Sequence, residues 1–152
     1  MQATYDDANL ILRLYELRRE ETLRKARAWF VSNFDVASAE EMMQKYPFGS
    51  EENTSFRMVI SYWDMAASFV VAGVLNQELF FQSSGELLIV WEKVRGLLPA
   101  FRQLVKNPQA WGNLENVGNA YIKHVEGRGP EAYAAFQGMV KSVSAAASAA
   151  KP

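Results

Sequence analysis

Apolar side chains recur along this chain at three- and four-residue intervals, and no alternating run bounded by hairpin dipeptides interrupts them. The pattern predicts an all-α chain. A first helix is expected over Asp6 to Phe34, with Thr4 and Asp7 at capping-box spacing and two acids at the positive end of the helix dipole. Its apolar stripe rotates between Leu10, Leu14 and Leu17 and Leu23, Ala26 and Phe30, so its two ends should meet different neighbours. Between them, Glu20 with Arg24 and Glu21 with Lys25 lie four residues apart, each pair adding ~0.3 kcal/mol to a solvated middle turn.

A short helix follows over Ala39 to Lys45, opened by Ser38 and Glu41 and stopped by Pro47. After a polar loop from Phe48 to Asn53, a central helix runs from Ser55 to Ala72, capped by Asn53 or Thr54 and ended by a left-handed Gly73. Asn76 to Phe81 reads as a single capped turn. The strongly amphipathic stretch from Glu86 to Lys106 contains Pro99, which predicts a kink near Gly96 or a break. Asn107 and Pro108 open a helix reaching Glu126, and a last helix starts at Pro130. Within the penultimate helix, Gly118 lies in the apolar stripe and marks close approach by another helix.

These elements assemble into an irregular antiparallel helical bundle of five to six helices around the one starting near Ser55. Residues 1–141 are expected to form a single helical-bundle domain. Residues 142–152 form an Ala/Ser-rich C-terminal tail, and their alanines favour extending the last helix.

The central helix carries the most informative polar pattern. Apolar side chains cover nearly its whole circumference, leaving one stripe of Arg57, Ser61, Asp64 and Ser68 at spacings that share a face. If the stripe is buried, Asp64 must be paired or hydrogen-bonded. One reading makes Asp64 the polar floor of a pocket, with Arg57, Ser61, Ser68 and Trp63 as the other candidate ligand-binding residues. The other makes it a structural carboxylate held by an arginine from helix 1, or an exposed edge.

Composition removes whole classes of chemistry. The 152 residues include no cysteine and one histidine, His124, which closes thiolate catalysis, zinc knuckles and any site needing two imidazoles from one chain. Sixteen basic and seventeen acidic residues are interspersed, so the charge footprint of a nucleic-acid binder is missing. The stretch Met58 to Leu75 is apolar but contains Asp64, which favours a buried helix over an integral membrane span. The opening residues place acids where a signal peptide needs bases, so a cytoplasmic location is expected. The loop around Arg128 lacks both the strand and the Gly-Lys-Ser/Thr ending of a phosphate loop. His124 has no sequence-local partners for catalysis or metal binding, and the four tryptophans sit at core spacing.

At Tyr62-Trp63-Asp64-Met65-Ala66-Ala67-Ser68, followed by Gly73-Val74-Leu75 and Glu78-Leu79-Phe80-Phe81, the chain resembles a group of uncharacterised bacterial helical domains of unknown function. The resemblance covers residues 55 to 105. It implies a helical fold and supplies neither an activity nor a catalytic residue. The expectation is therefore a non-enzymatic protein-interaction or regulatory module, with a partner protein or a second copy of the chain as its target and no catalytic residue, cofactor, metal or nucleic acid. The alternative is a small-molecule binding protein or enzyme with a pocket at the central helix around Asp64, walled by Trp63, Tyr62 or Trp91.

Overall fold

Arg19 and Glu20 end the first helix instead of extending it. In the computed structural model, which describes residues 1–152, α1 (Tyr5–Arg18) and α2 (Glu21–Asn33) are separate. The Glu20 carboxylate accepts the backbone N–H groups of Thr22 and Leu23, both at 3.0 Å, and so caps α2 rather than pairing with Arg24. A carboxylate satisfying two otherwise unpaired amides outweighs one exposed ion pair. Glu21 and Lys25 do pair, at 2.8 Å, on the exposed surface. The expected capping box of Thr4 and Asp7 closes the start of α1.

Next come α3 (Ala39–Lys45), α4 (Glu51–Val71), α5 (Gln77–Ser83) and α6 (Gly85–Val94). A 3-10 turn, Arg95–Leu97, leads into α7 (Leu98–Val105), followed by α8 (Gly112–Glu126) and α9 (Ala132–Ala149). Five to six helices were expected, and the chain forms nine α-helical segments; joining α6 and α7 into one interrupted rod leaves eight. The extra elements arise at the Glu20 cap and at α5, where the Asn76 side chain accepts the Leu79 N–H and starts a true helix. The break before Pro99 falls where the proline predicts it, with Pro99 in the first turn of α7.

Helix α4 starts earlier than its apolar pattern suggests. Ser50, not Asn53 or Thr54, is the cap: its hydroxyl accepts the Asn53 N–H at 3.1 Å, and Asn53 itself is buried. Gly73 ends the helix at φ 74°, the left-handed region that glycine enters without a Cβ penalty. α4 lies at the centre, packing mainly on α2 and α8, while α9 covers α2, α8 and α6, and α1 rests on α5.

One contiguous core of 28 buried residues runs through these contacts. At the α2–α4 seam Phe30 stacks on Phe34 with centroids 4.8 Å apart, and Phe56 sits 5.0 Å from Phe34. Such pairs contribute ~0.5–1.5 kcal/mol each beyond area burial. Gly118 fulfils its expected role, since the Trp91 indole of α6 lies directly over it. No helix is long and apolar enough to cross a membrane.

Candidate functional site

The polar stripe of α4 divides between two tasks. Its lower half serves α8. Asp64 is half-buried and accepts the Leu114 N–H at 2.9 Å and the Asn113 side-chain amide at 3.4 Å. α8 has no capping side chain of its own, so a carboxylate from α4 satisfies its first turn and faces the positive end of its dipole. The start expected at Asn107 and Pro108 is thereby moved to Gly112, and the Asn107 side chain closes a local turn onto the Gln109 N–H at 2.9 Å. Ser68 donates to the Met65 carbonyl at 2.6 Å.

The upper half borders a cavity of about 550 Å³, of whose fourteen lining residues eleven are hydrophobic. Helix α3 contributes Ala39, Met42 and Met43, and the loop after it Phe48. Helix α4 supplies Phe56 and Ile60, with Asn53, Arg57 and Ser61 as the polar edge. The far wall is Leu97, then Phe101, Leu104 and Val105 of α7, closed by Trp111. Phe48 and Leu104 are 68% and 60% exposed, so the apolar lining reaches the surface.

Trp111 gives this wall its rigidity. Its ring stacks on Phe101 at 4.2 Å with planes 18° apart and lies 5.8 Å from Phe56. Its backbone is left-handed at φ 55°, a conformation that costs a bulky residue of order 1–3 kcal/mol and persists only when its surroundings hold it. The holding contacts are identifiable. Arg102 donates to the Ala110 carbonyl at 3.0 Å and pairs with Glu115 at 2.7 Å, while Asp64 pins Leu114. Lys106, at the other end of the same loop, is also left-handed at φ 55°.

Of the candidate residues, the structure thus places Arg57 and Ser61 at the cavity. Asp64 lies outside its lining and fixes the segment after Trp111, and Ser68 is also outside it. Trp63 is buried elsewhere, its indole N–H donating to Glu86 at 3.3 Å. That contact belongs to a network the sequence pattern does not reveal: Arg27 of α2 grips Glu86 of α6 through two nitrogens at 2.8 and 2.7 Å, and Arg18 lies 5.6 Å over the Trp63 ring. Hydrogen bonding to Glu86 holds the Arg27 guanidinium above its ordinary pKa. Asp64 is held by α8 and not by an arginine of the N-terminal segment, so it is the structural carboxylate of the second reading but with a different partner. Nearby, the Tyr62 hydroxyl donates to the Leu14 carbonyl at 2.6 Å, and burial pushes its pKa up to about 12.

His124 sits 3.5 Å from Glu78 and 3.1 Å from Arg128, and none of the three lines the cavity. No three His, Cys, Asp or Glu side chains converge as a metal site would need. Residues 3–121 match the family model of a domain of unknown function, DUF4760. No curated protein and no solved structure matches the chain.

Proposed function

We propose, starting from a chain that belongs to the DUF4760 family, that the protein is a non-enzymatic binding module whose site is the apolar cavity between α3, α4 and α7. The observation that carries this reading is the cavity itself. Its volume of about 550 Å³ lies within the range of small-molecule sites, and its apolar lining has a few polar groups gathered on one edge. Every lining residue falls inside the segment matched by the family model. The lining favours binding over catalysis because it holds no carboxylate, imidazole or amine to serve as a general base, and its only charged side chain is the guanidinium of Arg57, a hydrogen-bond donor without an acceptor.

A neutral naphthylamine dye that fluoresces in apolar surroundings tests the reading directly. The wild type should bind it, and Ala39→Trp, which fills the cavity from the first turn of α3, should abolish binding while leaving the far-ultraviolet circular dichroism unchanged. Absence of dye binding, or undiminished binding by a folded Ala39→Trp, overturns it.

A second reading, self-association, is favoured by α1. Tyr5, Leu12 and Tyr15 are exposed and fall within a sector of roughly 80° on that helix. Sedimentation at increasing concentration tests it: a dimer that Leu12→Glu dissociates supports the reading, and a monomer throughout removes it.

A further inference from the structure

The polar edge of the cavity is chemically one-sided. Both ends of the Asn53 amide are engaged and the residue is buried: its nitrogen donates to the Tyr46 carbonyl at 3.0 Å, and its oxygen accepts Arg57 Nε at 3.2 Å. Ser61 spends its proton on the Met58 carbonyl at 3.2 Å. Arg57 donates no other hydrogen bond within the protein and takes part in none of its six ion pairs, although Glu20, Glu41, Glu86, Glu92 and Glu115 all find partners. The two terminal nitrogens of an exposed guanidinium are thus left at the mouth of an apolar cavity, as its only charge.

We propose that the cavity takes an amphiphile bearing one carboxylate, with its hydrocarbon body among the apolar walls and its head on Arg57. This rests on the binding reading above and adds the ligand class to it. A carboxylate matches the guanidinium through two parallel hydrogen bonds, and the fork of Arg57 keeps Nη1 and Nη2 available once Nε is committed to Asn53. The body is accommodated by Met42 and Met43, whose unbranched thioethers repack around irregular shapes, and by the flat face of Trp111. A cationic head would meet repulsion from Arg57, and a neutral head would leave it unpaired.

Titration calorimetry with decanoate and decyltrimethylammonium below their micelle concentrations, and with decanol below its solubility limit, separates the elements of this proposal. For the wild type, decanoate should bind about three- to tenfold more tightly than decanol, and the ammonium more weakly than either. Arg57→Gln, on an exposed position where folding is undisturbed, should bring decanoate down to the affinity of decanol and leave decanol within about twofold of its wild-type value. Equal binding of the acid and the alcohol by the wild type, or an acid preference that survives Arg57→Gln, overturns the carboxylate assignment while the cavity remains a binding site. If none of the three chains binds, both fail, and the groove is left to an apolar peptide.

Discussion

Two glycines inside helices should respond to the same substitution with opposite signs. Replacing glycine by alanine in a helix interior gains about 0.8–1.0 kcal/mol of intrinsic propensity. At Gly138 of α9 nothing lies within 4 Å of the added Cβ, so Gly138→Ala should be stabilised by about that amount. At Gly118 the same carbon would lie 2.4 Å from two atoms of the Trp91 ring and 2.9 Å from a third. The indole must retreat by about 1 Å to reach ordinary contact at 3.4 Å. It is buried, and its N–H donates to Asn119 at 3.1 Å, so the retreat costs packing and strains that bond. Overpacking of about 1–3 kcal/mol, with a weakened hydrogen bond worth about 0.5–1.5, less the propensity gain of about 0.8–1.0, leaves Gly118→Ala destabilised by about 0.5–3.7 kcal/mol, with a midpoint of ~2. At roughly 2–4 °C per kcal/mol for a chain of this size, Tm should fall by roughly 1–15 °C, and rise by roughly 2–4 °C for Gly138→Ala. Urea and thermal melts followed by circular dichroism measure both. In a Trp91→Leu background the cost of Gly118→Ala should shrink, showing coupling between the two sites. A Gly118→Ala protein as stable as the wild type would refute the close approach on which the α6–α8 contact rests.

Three further outcomes follow from the contacts described. Asp64→Ala should lose about 0.5–2 kcal/mol in urea denaturation through the uncapped start of α8, whereas Asp64→Asn, which retains the oxygen facing Leu114, should stay close to wild type; equal losses would point to a need for the charge itself. Lys106→Gly should gain about 0.5–1 kcal/mol, because its side chain is exposed and its φ of 55° suits glycine; a loss in the same melt would show that the lysine side chain holds the loop. The Tyr62 phenol, raised to about 12 from an ordinary value near 10, contributes stability that is complete below about pH 10 and declines as pH climbs towards 12. The urea midpoint should therefore fall across that alkaline range and fall less steeply in Tyr62→Phe, and a slope identical in the variant would exclude Tyr62 as a contributor.

Local chemistry carried much of the architecture. The capping box at Thr4, the limits of α3, the left-handed Gly73 and the interruption before Pro99 each depend on residues within one or two turns, and each is where the sequence places it. The failures share a cause. Glu20 offered two local outcomes, a side-chain pair or the stronger backbone cap, and the periodicity on either side concealed the break that the cap requires. The alignment of Arg57, Ser61, Asp64 and Ser68 was legible as a face of α4, but not that the face meets a cavity at one end and a helix terminus at the other. The cavity walls come from segments spread between Ala39 and Trp111, and no local pattern distinguishes their apolar side chains from core. Arg27 and Glu86 are separated by 59 positions, beyond any periodic signal.

The carboxylate that starts α8 stands 50 positions earlier in the chain, which makes this helix boundary a tertiary property. A peptide spanning residues 105–127 carries Asn107 and Pro108, an adequate local start, but no Asp64. In isolation its helix should nucleate about one turn earlier, through the residues that in the protein form the loop before Trp111. The position of the indole that closes the cavity is therefore set by a contact between α4 and α8, and not by the sequence of the loop that carries it.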